Sequence, residues 1–131
     1  MTGEVTQLLA AREHHRPVAP PSETAPLSVA QAYAVQDRLR EALVARGERV
    51  VGWKAGFTSK VTQAAFGTDE PVCGFLLASG VFPNRAEVPF ARFVGLVVEA
   101  EVAFVMKDDL AGPGVTPVRA LLAVEGAVPA L

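Results

Sequence analysis

The chain of 131 residues has a single cysteine, Cys73. That rules out a disulfide within the chain and excludes a cysteine-rich zinc module, and a reducing cytoplasm is the compartment that fits. Charge of one sign is never concentrated: 12 basic and 14 acidic residues are scattered along the sequence and leave a formal net charge of -2. The basic face of a nucleic-acid or anionic-membrane binder is therefore missing. Long apolar runs are missing as well. None approaches the roughly 18 residues needed to cross a bilayer, and the apolar patch at Leu8 to Ala11 is too short for a secretory signal and lacks a small-residue cleavage site. These absences predict a soluble, cytoplasmic protein with no nucleic-acid and no membrane partner.

What is present is an apolar content of half the residues, enough to bury a core in one domain spanning residues 1–131. Val5, Leu8 and Leu9 fall at helical spacing between Glu4 and His15, and Pro17, Pro20, Pro21 and Pro26 predict a proline-rich, extended linker over residues 16–27. Ser28 with Gln31 three residues on reads as a capping box. The stripe Val29, Ala32, Tyr33, Leu39 and Leu43 follows it, and Gly47 supplies a stop.

Val50 to Thr58 alternates with period two, placing Lys54 on the face opposite Trp53. Ser59 to Phe66 reads as a short helix ended by Gly67. The apolar stretch Val72 to Leu77 follows a turn at Asp69, Glu70 and Pro71. Phe93 to Met106 is the longest strand candidate, with every even position apolar, a face that belongs in a core. Thr116 and Pro117 start a last helix, expected to reach about Glu125. Helices and strands without regular alternation point to an α+β fold.

Glu99 and Glu101 are the sharpest chemical feature. On a strand they would share one face, with Cα atoms roughly 6.5 to 7 Å apart. Between apolar flanks, two such carboxylates would repel and lose hydration unless a proton or a cation sits between them. Mg²⁺ accepts one or two protein carboxylates and completes its shell with water and substrate oxygens. The alternative is a sheet face that is simply wet. Lys54 stands between Gly52 and Gly56, and glycine in a strand often marks close approach of a ligand. Such a lysine can hold an anionic substrate or act as acid or base; it can equally snorkel from an edge. His14 and His15 point about 100° apart on a helix and read as surface. Cys73 reads as a small hydrophobe, and neither Ser59 nor Ser79 has the context of a nucleophile elbow.

Several stretches in order carry a resemblance: AYAVQDRL at Ala32 to Leu39, VVGWKAGFTSK at Val50 to Lys60, PVCGFL at Pro71 to Leu76, VEAEVAFVMKDDL at Val98 to Leu110 and VEGAVPAL at Val124 to Leu131. Together they resemble the 2-keto-4-pentenoate hydratase and 4-oxalocrotonate decarboxylase branch of the fumarylacetoacetate hydrolase superfamily. The resemblance implies N-terminal helices plus part of a curved mixed β-roll, homo-oligomers, and a small 2-oxo or 2-hydroxy-dienoic acid as substrate in aromatic-compound catabolism. It implies Mg²⁺ or Mn²⁺ on Glu99 and Glu101, Lys54 as the catalytic lysine of a G-W-K-x-G motif, and Ser59 and Ser79 as substrate-binding residues, Ser79 standing where many relatives place an acid.

By the same resemblance a third metal-binding glutamate and more of the roll would follow Leu131, so this chain is expected to be an N-terminal portion. The expected activity is a hydro-lyase converting 2-hydroxypenta-2,4-dienoate to 4-hydroxy-2-oxopentanoate. A decarboxylase of the 4-oxalocrotonate type, an acylpyruvate hydrolase and a non-catalytic remnant or assembly module are the alternatives.

Overall fold

The computed structural model describes residues 2–131. Among the described residues, five helices and four strands occur in the order α1 (Thr2–Glu13), α2 (Pro21–Thr24), α3 (Val29–Ala45), β1 (Val50–Gly56), α4 (Lys60–Ala65), β2 (Val72–Leu77), β3 (Glu101–Met106), α5 (Pro117–Leu122) and β4 (Val124–Ala130), with 3₁₀ turns at Ala78–Gly80 and Phe90–Arg92. The chain divides into two compact units, residues 1–94 and 95–131, each described by itself. Both combine helix with antiparallel hairpin, which is an α+β composition. Among the described residues the sheets are two-stranded, β1 with β2 and β3 with β4.

In the first unit α3 is built as its sequence demands. Ser28 Oγ accepts from the Gln31 backbone N–H at 3.2 Å, and Gln31 Oε1 accepts from the Ser28 N–H at 2.8 Å, closing the capping box. At the other end Gly47 takes φ +94°. Its N–H donates to Val44 O and that of Glu48 to Leu43 O, the paired bonds of a Schellman stop. The helix buries Val35 and Leu43, while Val29 and Ala32 of the anticipated stripe are exposed. Leu43 meets Leu9 of α1 and Leu77 of β2, with Val5, Leu39, Ala42, Val50 and Phe75 packed around them. The proline-rich segment 16–27 departs from the extended linker by one turn: Pro21 at N1 starts α2, the helical position where its missing N–H costs nothing.

β1 and β2 pair antiparallel from Val50↔Leu77 to Gly56↔Val72, with a bulge between Val50 and Gly52. The strand ends at Gly56 rather than Thr58, because Phe57 adopts φ +54° and turns the chain away. Ser59 then caps α4, and Gly67, at φ +67°, stops it.

The second unit corrects two expectations. The long strand over Phe93 to Met106 shrinks to β3, since its partner β4 offers residues only for the ladder Glu101↔Ala130 to Met106↔Val124. Nor does the even face lie in a core: Val94, Leu96, Val98, Val102, Phe104 and Met106 are all exposed, and the odd face is exposed too apart from a half-buried Ala103. Alternation reports the period of an extended chain, and nothing in this hairpin's own unit provides a covering layer. The last helix also stops early, at Leu122. Val124 and Glu125 belong to β4, where β-branched valines suit a pleated surface. Pro129 is tolerated because a strand in a two-stranded sheet always has an open edge.

Candidate functional site

Lys54 lies in the middle of β1, opposite Gly74 of β2. Along the strand Val50, Gly52, Lys54 and Gly56 are half-buried, whereas Val51, Trp53 and Ala55 are exposed, so Lys54 and Trp53 do occupy opposite faces. Opposed residues of an antiparallel pair share a face. Lys54 is therefore surrounded by Gly74 across the ladder, by Gly52 and Gly56 along its own strand, and by Leu76 and Val72 on the diagonals. A Cβ placed on Gly74 would meet no atom within 4 Å. Gly74 thus leaves open space opposite Lys54, whereas a Cβ at Gly52 or Gly56 would meet the Leu76 or Val72 side chain at 3.6 or 3.2 Å.

The loop after β1 is strongly held. Gln63 of α4 is 3% exposed, and among the described residues it is the polar side chain buried to that degree. Its Nε2 donates to Phe57 O at 2.8 Å, and its Oε1 accepts from Lys60 Nζ at 2.9 Å. Lys60 Nζ also donates to Asp69 O at 3.1 Å, and the rings of Phe57 and Phe66 stack with centroids 4.5 Å apart. Ser59 is engaged here as a helix cap: its Oγ accepts from the Thr62 N–H at 3.1 Å and lies 2.9 Å from Thr62 Oγ1. Gln63 was not singled out from the sequence, where a glutamine in a short helix carries no mark of burial.

Ser79 sits at the far end of the hairpin, beyond β2. Its Oγ donates to Glu48 Oε1 at 2.8 Å, and Arg92, which also lies over the Phe82 ring at 5.1 Å, donates to its carbonyl at 3.4 Å. Ser79, Glu48 and Arg92 line an open cleft of about 620 Å³ with Arg12, Arg46 and Glu13. Glu48, another residue missed in the sequence, delivers a carboxylate to the position of Ser79 and stands 4.0 Å from Arg12. His14 and His15 are exposed, as expected, but Cys73 is exposed rather than buried. The edge of β2 explains it: the Cys73 N–H donates to Tyr33 Oη at 3.0 Å and its carbonyl accepts from Gln36 Nε2 at 3.1 Å, so α3 holds the backbone and leaves the thiol outside.

Glu101 opens β3 opposite Ala130, and Glu99 precedes the ladder by two residues. Both are exposed, which corrects the expectation that they lose hydration between apolar flanks. Carboxylates open to water match the donor preference of a hard divalent cation that keeps several water or substrate ligands. Among the described residues no group of three or more His, Cys, Asp or Glu gathers as a metal cage. Lys54 belongs to the first unit and the glutamates to the second.

No family model matches the chain. It is 36% identical over 127 residues to a 2-hydroxypent-2,4-dienoate hydratase of Pseudomonas putida, covering 96% of this chain and 56% of that protein. It is 38% identical over 125 residues to a 2-keto-4-pentenoate hydratase of Paraburkholderia xenovorans, covering 95% and 46%. Among solved structures, 4-oxalocrotonate decarboxylase from Pseudomonas putida G7, complexed with magnesium and adipate, superposes with a TM-score of 0.87 at 29% identity, over 95% of this chain and 48% of that one. The chain spans about half the length of the curated relatives it matches.

Proposed function

We propose that this chain, a relative of the 2-keto-4-pentenoate hydratases and 4-oxalocrotonate decarboxylases, carries the lysine and two metal-binding carboxylates of a hydro-lyase. The reaction adds water to 2-hydroxypenta-2,4-dienoate and yields 4-hydroxy-2-oxopentanoate. The observation that carries the reading is the identity with dienoate hydratases over nearly the whole chain, through the segments that bear Lys54, Glu99 and Glu101.

In outline, the dienol gives up its O–H proton and gains one at C5, water adds at C4, and C3 takes the last proton, so one water is consumed. Glu99 and Glu101 would hold Mg²⁺ or Mn²⁺, which would polarise the 2-oxo group and stabilise negative charge developing on it. Lys54 offers its Nζ to the substrate carboxylate or moves a proton there, with open space at Gly74 across the ladder. Ser59 caps α4 and Ser79 is bonded to Glu48, so a role for either in binding substrate would use the remaining lone pairs of its hydroxyl. The wider reading is a cytoplasmic homo-oligomer whose hairpins are part of a curved mixed β-roll of the fumarylacetoacetate hydrolase type.

The test is calorimetric titration of the 131-residue chain with Mg²⁺ and Mn²⁺ in the presence of oxalate, beside Glu99→Ala and Glu101→Ala, with loss of dienoate absorbance as the activity readout. Metal binding that both variants abolish is the expected result; a folded chain that binds no metal and consumes no dienoate overturns the reading. A second reading, decarboxylation of 4-oxalocrotonate, is favoured by the fold likeness to that decarboxylase, and release of CO₂ from 4-oxalocrotonate separates the two.

A further inference from the structure

The strands on either side of Lys54 are poorly equipped to keep their own register. Gly52, Gly56 and Gly74 occupy half of the six paired positions on the Lys54 face, and glycine-rich strands specify register weakly because few side chains distinguish one pairing from the next. A short turn would normally supply what the strands lack, but here residues 57–71 separate β1 from β2. The consequence of error is large, since a slip by one residue moves every side chain of the strand to the other face, taking Lys54 off the side it shares with Gly74.

A polar bridge spans this long connection. Just after β1, Phe57 O accepts from Gln63 Nε2 at 2.8 Å; Gln63 Oε1 accepts from Lys60 Nζ at 2.9 Å; the same Nζ donates to Asp69 O at 3.1 Å, three residues before β2. The Thr68 N–H donates to Gln63 O at 3.0 Å, tying the main chain of the same residue to the approach to β2. Phe57 is held at φ +54°, a left-handed conformation that a bulky residue keeps only when its surroundings enforce it. The buried amide on its carbonyl and the Phe66 ring stacked on its own are those surroundings.

We propose that Gln63 is a positioning residue that locks the register of β1 against β2 and so keeps Lys54 over Gly74. The inference rests on the reading of Lys54 as the active lysine, but the lock itself can be observed without turnover. Gln63→Met keeps the side-chain volume and removes both amide bonds. Lys60→Met, at an exposed position, removes the Nζ bonds to Gln63 Oε1 and Asp69 O and leaves the Gln63 bond to Phe57 O in place. The readouts in the full 131-residue chain are amide exchange of β1 and β2, the rate at which Lys54 is acylated by a limiting N-hydroxysuccinimide ester relative to Lys107, and kcat and KM for dienoate hydration.

Gln63→Met, folded by circular dichroism, is expected to speed exchange at Gly56 and Lys54 more than at Val50. It should change the Lys54 to Lys107 acylation ratio at least threefold and lower kcat about tenfold with little change in KM, as misplacement of a reacting group does. Lys60→Met should move the same readouts in the same direction by a smaller factor. A folded Gln63→Met with wild-type exchange and acylation overturns the proposal; should that variant not fold, unchanged values in Lys60→Met overturn it instead. If the wild-type chain hydrates nothing, the hydratase reading fails while exchange and acylation still decide the lock.

Discussion

The two hairpins of this chain are built from similar material and have opposite surroundings. β1 and β2 lie against a helix: Leu77 is 6% exposed in the cluster with Leu9 and Leu43, and Tyr33 and Gln36 of α3 bond the outer edge at Cys73. β3 and β4 pair over as many rungs yet present Val102, Phe104, Met106 and Val128 to solvent. An isolated two-stranded hairpin is marginal in water, and packing against a helix is one of the ways it becomes stable. Strand pairing and burial are therefore separate acquisitions, and the first hairpin has both.

The comparison breaks most directly in the core. Leu77→Ala should cost about 2–5 kcal/mol, the range for truncating a buried leucine, read as a fall in the urea midpoint with amide protection lost across β1. Gly47→Ala forces a side chain into the left-handed conformation that ends α3 and should cost about 1–2 kcal/mol by the same denaturation. Ser28→Ala, which opens the capping box at the other end of α3, should cost about 1 kcal/mol and speed exchange in the first helical turn. Phe104→Ala sharpens the contrast from the other side: 61% exposed in the second hairpin, it should shift stability by about 0.5 kcal/mol or less. A loss at Phe104 as large as that at Leu77 would mean that the second hairpin is covered in solution.

Much of the local architecture was readable from residue patterns. Ser28, Gln31 and Gly47 bound α3 where caps and stops require, since those interactions reach only a few residues along the chain. Thr116 and Pro117 likewise start α5. Lys54 was placed on the correct face of β1 by period-two alternation alone. The candidate site was legible in its residue types, because a lysine among glycines and two glutamates spaced i, i+2 are conspicuous in any chain. It was not legible in its supports: Gln63, Glu48 and Tyr33 act through partners 6, 31 and 40 residues away, and no local pattern marks such distances.

The residues alone thus settled what short-range physics controls: both ends of α3, the start of α5, the phase of β1, the chemistry on offer and the family likeness carried by consecutive motifs. Folding in three dimensions decided where β3 begins, because a ladder extends only as far as its partner. It also decided which apolar faces are buried, because alternation states that a strand has two sides and only a covering element determines which of them leaves water.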